Sequence, residues 1–218
     1  SSCFVSSYFF LGHVVSGAGV ETDPKKTEAV RDWPTPRDAK MVRSFVGLAS
    51  YYRRFIRGFA YVAAPLHALT KPSVKFRWSD EAERAFEELK SRLCNAPILA
   101  FPKVSESFIV DTDASDHGLG AVLSQVQDGS EHVIAYYSRR LDRAERNYCV
   151  TRRELIAVVE SLKHFRAYMY GVPFLLRTGH ALLQWLMRFR EPEGQLPGSA
   201  YVRARTEDAG LPGFWGAS

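Results

Sequence analysis

Phe108-Ile109-Val110-Asp111-Thr112-Asp113-Ala114-Ser115 is the stretch on which the fold turns. Residues 108–113 alternate in the manner of a strand, with Ile109, Asp111 and Asp113 on one face. Gly118-Leu119-Gly120-Ala121-Val122-Leu123 opens a second strand, expected over 118–126. A third is expected over 133–138, with Asp128-Gly129 as the turn signal between them. The period then lengthens. Over 151–170 a long helix is expected, with Leu155, Val158, Val159, Leu162, Phe165 and Met169 on one face and Gly171 as its C-terminal stop. Residues 174–178 read as a strand and 181–189 as a helix. Three strands, a helix, a strand and a helix make a mixed α/β domain.

Upstream the chain is mostly helical. A strand and turn are expected at 14–20, with Ser16-Gly17-Ala18-Gly19 as the turn. Asp23-Pro24 then opens a helix, Asp as N-cap and Pro at the first helical position, running to Trp33 before Pro34 and Pro36. A second helix is expected from Arg37 to Gly58, carried by Met41, Val42, Phe45, Leu48, Ala49 and Tyr52. A short one follows at 65–69. Ser79-Asp80-Glu81 starts another, with Ala82, Ala85, Phe86, Leu89 and Leu93 as its stripe and acids in the first turn, where the helix dipole favours them. Past Glu191, Gly, Pro and Ala dominate and no apolar period holds, so 191–218 is expected to be a disordered tail.

A chain of 218 residues with 46% hydrophobic and 24% charged residues has the composition of a globular protein with a real core. No apolar run is long enough to span a membrane. Residues 1–10 are apolar and aromatic without a basic start, which reads as a chain beginning inside a domain rather than a signal peptide. Cys3, Cys94 and Cys149 are odd in number and widely spaced. They specify neither a zinc site nor a disulfide framework, and read as small core residues of a reducing, intracellular compartment. The net charge of +5 leans toward a polyanionic partner without deciding it.

Several motifs occur in one continuous order: Phe10-Leu11-Gly12-His13-Val14-Val15-Ser16, Trp33-Pro34-Thr35-Pro36, the run from Val42 through Ser50-Tyr51-Tyr52-Arg53-Arg54-Phe55-Ile56, and Ala64-Pro65-Leu66. Beyond them come Thr112-Asp113-Ala114-Ser115, Ala135-Tyr136-Tyr137-Ser138-Arg139-Arg140-Leu141, Glu145-Arg146-Asn147-Tyr148 and Arg153-Glu154-Leu155. Together they resemble the gypsy-type LTR-retrotransposon reverse transcriptase, over about residues 3–195. The resemblance implies an α/β architecture: a helical thumb segment followed by a ribonuclease H-like mixed-sheet α/β domain. It divides the chain into the end of the palm (1–22), a helical thumb or connecting segment (23–95), a ribonuclease H-like domain (96–190) and the tail (191–218). The polymerase's paired catalytic aspartates are expected upstream of residue 1, in the remainder of a Pol polyprotein.

Ribonuclease H chemistry in that family uses two divalent metals, one activating water and one stabilising the leaving oxygen. Mg2+ takes hard oxygen donors, so its site is a cluster of acids from separate elements. The resemblance assigns Asp113 as the first acid and Glu154 as the second, both catalytic and metal-binding. Taken alone, Asp113 is a strand-end or turn aspartate, and Glu154 a first-turn glutamate favoured by the helix dipole. The third acid is missing: the family's Thr-Asp-His is Thr178-Gly179-His180 here, and glycine offers no ligand. Asp111, one side chain along the strand, is a poor replacement, and Glu207 and Asp208 sit in unpatterned sequence. Mg2+ binding is therefore expected to be weak or lost, and hydrolysis lost or very slow. Arg53 and Arg54 are expected to touch the phosphates of a primer–template or RNA–DNA hybrid, recognised by backbone shape. His13 and His180 read as structural. Two non-enzymatic alternatives remain open at this point: a nucleic-acid-binding module like the retroviral connection domain, or a decayed element copy.

Overall fold

A computed structural model describes residues 8–10, 12–72, 74–179 and 200–204. The chain divides into two compact units, Ser1–Phe101 and Pro102–Ser218.

The first unit opens with an antiparallel meander of β1 (Tyr8–Phe10), β2 (His13–Ser16) and β3 (Gly19–Thr22). The expected strand and turn is therefore a hairpin of two strands, joined by a third, Tyr8–Phe10, that the sequence pattern does not signal. Gly19 adopts φ +135°, and a Cβ there would collide with the Leu99 carbonyl. Only glycine lets the two backbones approach closely enough for the paired hydrogen bonds between Val20 and Leu99, 2.7 and 2.8 Å.

Helix α1 (Pro24–Arg31) has the expected cap, the Asp23 carboxylate accepting from Lys25 N at 2.9 Å. It stops at Arg31, two residues before Trp33. Helix α2 (Ala39–Tyr51) is capped by Asp38 and ends well short of Gly58. A run of aromatic and β-branched residues, Tyr51 to Ile56, is a poor helix propagator. Both Phe55 and Ile56 are buried, and Tyr52 turns inward to donate from its hydroxyl to the Gly12 carbonyl at 2.8 Å. The chain makes a 3₁₀ turn at Arg53–Phe55, passes through extended Ile56, and reaches Gly58 in the left-handed region (φ +66°). Gly58 precedes α3 (Phe59–Val62) rather than ending α2. Helices α4 (Ala64–Leu69) and α5 (Asp80–Cys94) follow, and all five stripe residues expected on α5 are buried. Phe86 packs on Phe45 with ring centroids 4.6 Å apart, and Phe45 on Trp33 at 5.8 Å.

The second unit is a mixed sheet in the order β6-β5-β4-β7-β8. Its strands are β4 (Phe108–Ala114), β5 (Gly118–Gln127), β6 (Ser130–Arg140), β7 (Phe174–Thr178) and β8 (Ala200–Ala204). β4 runs antiparallel to β5 and parallel to β7. Helix α6 (Val150–Met169) packs across β4, β5 and β7. Its buried side chains are Ala157, Val158, Ser161, Phe165 and Met169. Val159, expected on the apolar face, is exposed. The face is thus rotated from the expected one, and Ala157 and Ser161 lie on it because a small residue lets the helix approach the sheet.

Two expectations fall outside or against these elements. The 181–189 helix lies outside the described residues. Within the tail expected to be disordered, Ala200–Ala204 forms a strand parallel to β7. Five residues, Ala-Tyr-Val-Arg-Ala, are too few to show a period in sequence, and what orders them is the edge of β7 with its backbone N–H and C=O groups to satisfy. Cys94 is half-buried and Cys149 exposed, so Cys149 is not the core residue its type suggested.

Candidate metal and nucleic-acid site

The site is built where parallel strands β4 and β7 end. Their register pairs Asp111 with Arg177, and Asp113 and Gly179 each stand two residues further on. Adjacent strands are about 4.8 Å apart, so Asp113 and Gly179 are neighbours.

Glu154 arrives from the helix. Counting from it by three, four, seven and eleven reaches Ala157, Val158, Ser161 and Phe165, all buried. Glu154 is therefore the N-terminal end of the stripe that faces the sheet, and not a solvent-facing first-turn acid. Its carboxylate lies in the space that a side chain at Gly179 would enter. A Cβ built on Gly179 would stand 2.7 Å from Glu154 Cδ and 3.1 Å from Oε2, with Oε1 nearer still. Gly179 is not among the residues with positive φ, so a side chain there is opposed by this carboxylate and not by the backbone.

Asp113 alternates with Thr112 and Ala114. Ala114 packs with Leu119 and Ala157 on the α6 side, and Tyr137, two strands across from Thr112, stacks on His164 of α6 at 4.1 Å. Asp113 therefore starts on the face away from α6.

Asp111 is committed elsewhere. It is buried, 3.5 Å from the Arg177 guanidinium, which also binds Glu131 at 3.0 Å. Glu131 in turn accepts from the Ser124 hydroxyl at 2.7 Å. This network across four strands was not legible in the sequence, because its members are far apart in the chain and only the register of the sheet aligns them. It removes Asp111 as a substitute ligand, since freeing its charge would leave the half-buried guanidinium with one carboxylate fewer.

The donors present do not fit a two-metal site. Asp113 and Glu154 are two carboxylates, position 179 contributes none, and among the described residues no group of three or more His, Cys, Asp or Glu is placed to hold a metal ion. His180 lies outside the described residues.

The other expected contacts belong to the first unit. Arg53 is exposed and Arg54 half-buried, on the 3₁₀ turn. Arg53 lies 5.9 Å from the Phe59 ring centroid, and Arg54 5.6 Å from that of Phe55. His13 stacks on Tyr51 at 5.2 Å and meets Tyr52 edge-on at 5.5 Å, the packing role expected of it. Burial, and then the Arg54 charge, push its pKa down. Burial also raises the Tyr52 phenol to about 12, helped by Asp23 and Tyr51. Among the described residues no helix is long and apolar enough to cross a membrane.

Comparison with known proteins agrees with this architecture. Residues 78–176 match the family model described as the RNase H-like domain found in reverse transcriptase. The chain is 39% identical over 195 residues to the retrovirus-related Pol polyprotein from transposon 412 of Drosophila melanogaster, covering 89% of this chain and 16% of that one. It is 33% identical over 190 residues to the Tf2-3 transposon polyprotein of Schizosaccharomyces pombe, covering 85% of this chain and 14% of that one. The chain thus spans about a sixth of the length of these relatives. Among solved structures, the foamy viral protease-reverse transcriptase in complex with dsDNA superposes with a TM-score of 0.76 at 20% identity, over 94% of this chain and 45% of that one. The same viral protein in complex with RNA/DNA hybrid gives 0.72 at 19%, over 97% and 30%. The fold is theirs. By its sequence and its fold, this chain belongs to the reverse transcriptase–ribonuclease H region of retrotransposon Pol polyproteins.

Proposed function

We propose that this chain holds an RNA–DNA hybrid or primer–template as part of a Pol polyprotein, and that its ribonuclease H-like domain does not cut the RNA strand at a useful rate. The observation that carries the reading is the Glu154 carboxylate lying in the space of a side chain at position 179. Where a third acid would share the charge of metal ions, the second acid has folded into the gap.

Asp113 and Glu154 are the retained acids of that site. They can orient water or hold one hydrated cation weakly. Losing one metal ligand removes several kcal/mol of transition-state stabilisation, and each 1.36 kcal/mol is about tenfold in rate. Binding does not share this loss, because a hybrid is held by its phosphates and 2′-hydroxyls. In support, the solved relatives include complexes with dsDNA and with RNA/DNA hybrid. Arg53 and Arg54 supply cations from the thumb-like segment (23–95), beside the palm end (1–22).

The test is equilibrium binding of a fluorescent RNA–DNA hybrid to the full chain, in Mg2+ and in EDTA, at two salt concentrations. Binding that weakens with salt and is indifferent to EDTA is the expected result. Binding that needs Mg2+ would show that Asp113 and Glu154 still hold metal on the substrate.

A further inference from the structure

We propose that the connection from β6 into α6 is a second phosphate-docking surface, an arginine loop that seats the backbone of the nucleic acid beside the Asp113–Glu154 site. This rests on the hybrid-binding reading above and names the surface that would carry it.

Residues 139–153 contain six arginines against two acids, a surplus of four in a chain whose net charge is +5. A run of charge is by itself only a solvated surface. What distinguishes this one is that both acids are already used. Arg139 grips the Glu145 carboxylate with two bonds, 2.8 and 3.0 Å. Glu145 also accepts from Asp142 N, and Asp142 accepts from Glu145 N, each at 2.8 Å. The hydrogen bond from Arg139 is the largest cause of the Glu145 carboxyl being held below its usual range. This closed pair of turns fixes the backbone and spends its negative charge internally.

Arg140, Arg143, Arg146 and Arg152 are left exposed, and among the described residues none has a carboxylate partner. The Arg146 guanidinium donates to the Asp142 carbonyl at 3.3 Å. The Arg152 guanidinium carbon lies 3.8 Å from the centroid of the half-buried Tyr148 ring, a contact that holds the cation in place on the loop. The loop is anchored at both ends to the site. Leu141 N bonds to the His117 carbonyl at 3.0 Å, and Arg153 pairs with Asp116, tying it to the turn after Asp113. At its far end the chain enters α6 and reaches Glu154.

Guanidinium groups on a rigid frame suit phosphate, which they bind through two parallel hydrogen bonds. Nucleic acid is favoured over an acidic protein because the cations adjoin the remnant of a nuclease site.

The experiment measures hybrid affinity against salt for the full chain, for Arg143→Ala/Arg146→Ala/Arg152→Ala, and for Arg140→Ala/Arg143→Ala. The second variant avoids the helix start should the first unfold, and circular dichroism reports folding of both. Each phosphate contact contributes about 0.9 to the slope of log K on log salt. The slope should shrink by about three in the triple variant and about two in the double. Native binding with a slope unchanged in the folded variants overturns the loop and leaves the hybrid reading standing. Absence of any salt-dependent binding by the native chain overturns both. Poly-glutamate binding the native chain as tightly as the hybrid, and losing affinity in the same variants, also overturns the proposal and assigns the loop to an acidic protein.

Discussion

Restoring the missing acid should destabilise the fold before it restores any chemistry. In Gly179→Asp the new Cβ meets Glu154 Cδ at 2.7 Å, so the Glu154 side chain must swing out of its position. Moving a flexible carboxylate off its rotamer costs about 0.5–1.5 kcal/mol. The new charge adds more: two carboxylates 4 Å apart repel by about 4 kcal/mol at an effective dielectric of 20, less where water screens them, as at half-buried Glu154. Gly179→Asp should therefore lose on the order of 2–4 kcal/mol at neutral pH, and Gly179→Ala only the steric part. Added Mg2+ should recover part of the loss in Gly179→Asp and do nothing for the native chain, because a ligand stabilises only the state that binds it. Urea unfolding followed by circular dichroism, with and without Mg2+, measures all of this. If Gly179→Asp unfolds at the native midpoint without Mg2+, Glu154 does not occupy that space and the reasoning is refuted.

Four other outcomes follow from the structure. Gly19→Ala should cost more than an ordinary surface change, at least about 1–3 kcal/mol for the strained backbone alone, because its Cβ would press on the Leu99 carbonyl; retained stability would show that the Val20–Leu99 pairing is not rigid. Phe86→Ala removes a fully buried ring packed against Phe45 and should cost about 3–5 kcal/mol; a loss under 1 kcal/mol by urea unfolding would contradict the described core. Glu145→Ala should lose stability at pH 7 and flatten the acid limb: its folded pKa is depressed, so its contribution is present above the ordinary carboxylate range and disappears as pH falls through the folded value. An unchanged acid limb would deny the Arg139–Glu145 pair that role. Burial depresses the folded pKa of His13, so the native chain should lose stability as pH falls below the ordinary histidine range, and His13→Phe should lose less over that window; identical pH profiles of the melting temperature would count against the burial of His13.

Much of the domain was legible because its signals are local. The β7 bounds, the Asp23 cap and the α5 stripe come from local patterning, capping chemistry and a 3.6-residue period, and each was found where expected. The helix expected to reach Gly58 was misjudged because Tyr52 satisfies a helical period and yet is pulled inward by the Gly12 carbonyl, forty residues away. The α6 face was misjudged for a related reason. Val159 is apolar and exposed, whereas Ser161 is polar and fully buried, so hydropathy alone rotates the helix the wrong way. At the proposed site, the family resemblance pointed to Asp113, Glu154 and Gly179. It could not supply the position of the Glu154 carboxylate or the commitment of Asp111 to Arg177, since both depend on strand register.

The central claim, that the ribonuclease H-like site has lost its chemistry while the fold persists, is tested most directly by cleavage. A labelled RNA–DNA hybrid is incubated with Mg2+ and either the native chain or Asp113→Asn. The account predicts that the native chain leaves the RNA strand intact, at the same level as Asp113→Asn. Cutting by the native chain that Asp113→Asn abolishes would contradict it, and would mean that a group other than residue 179 supplies the third ligand.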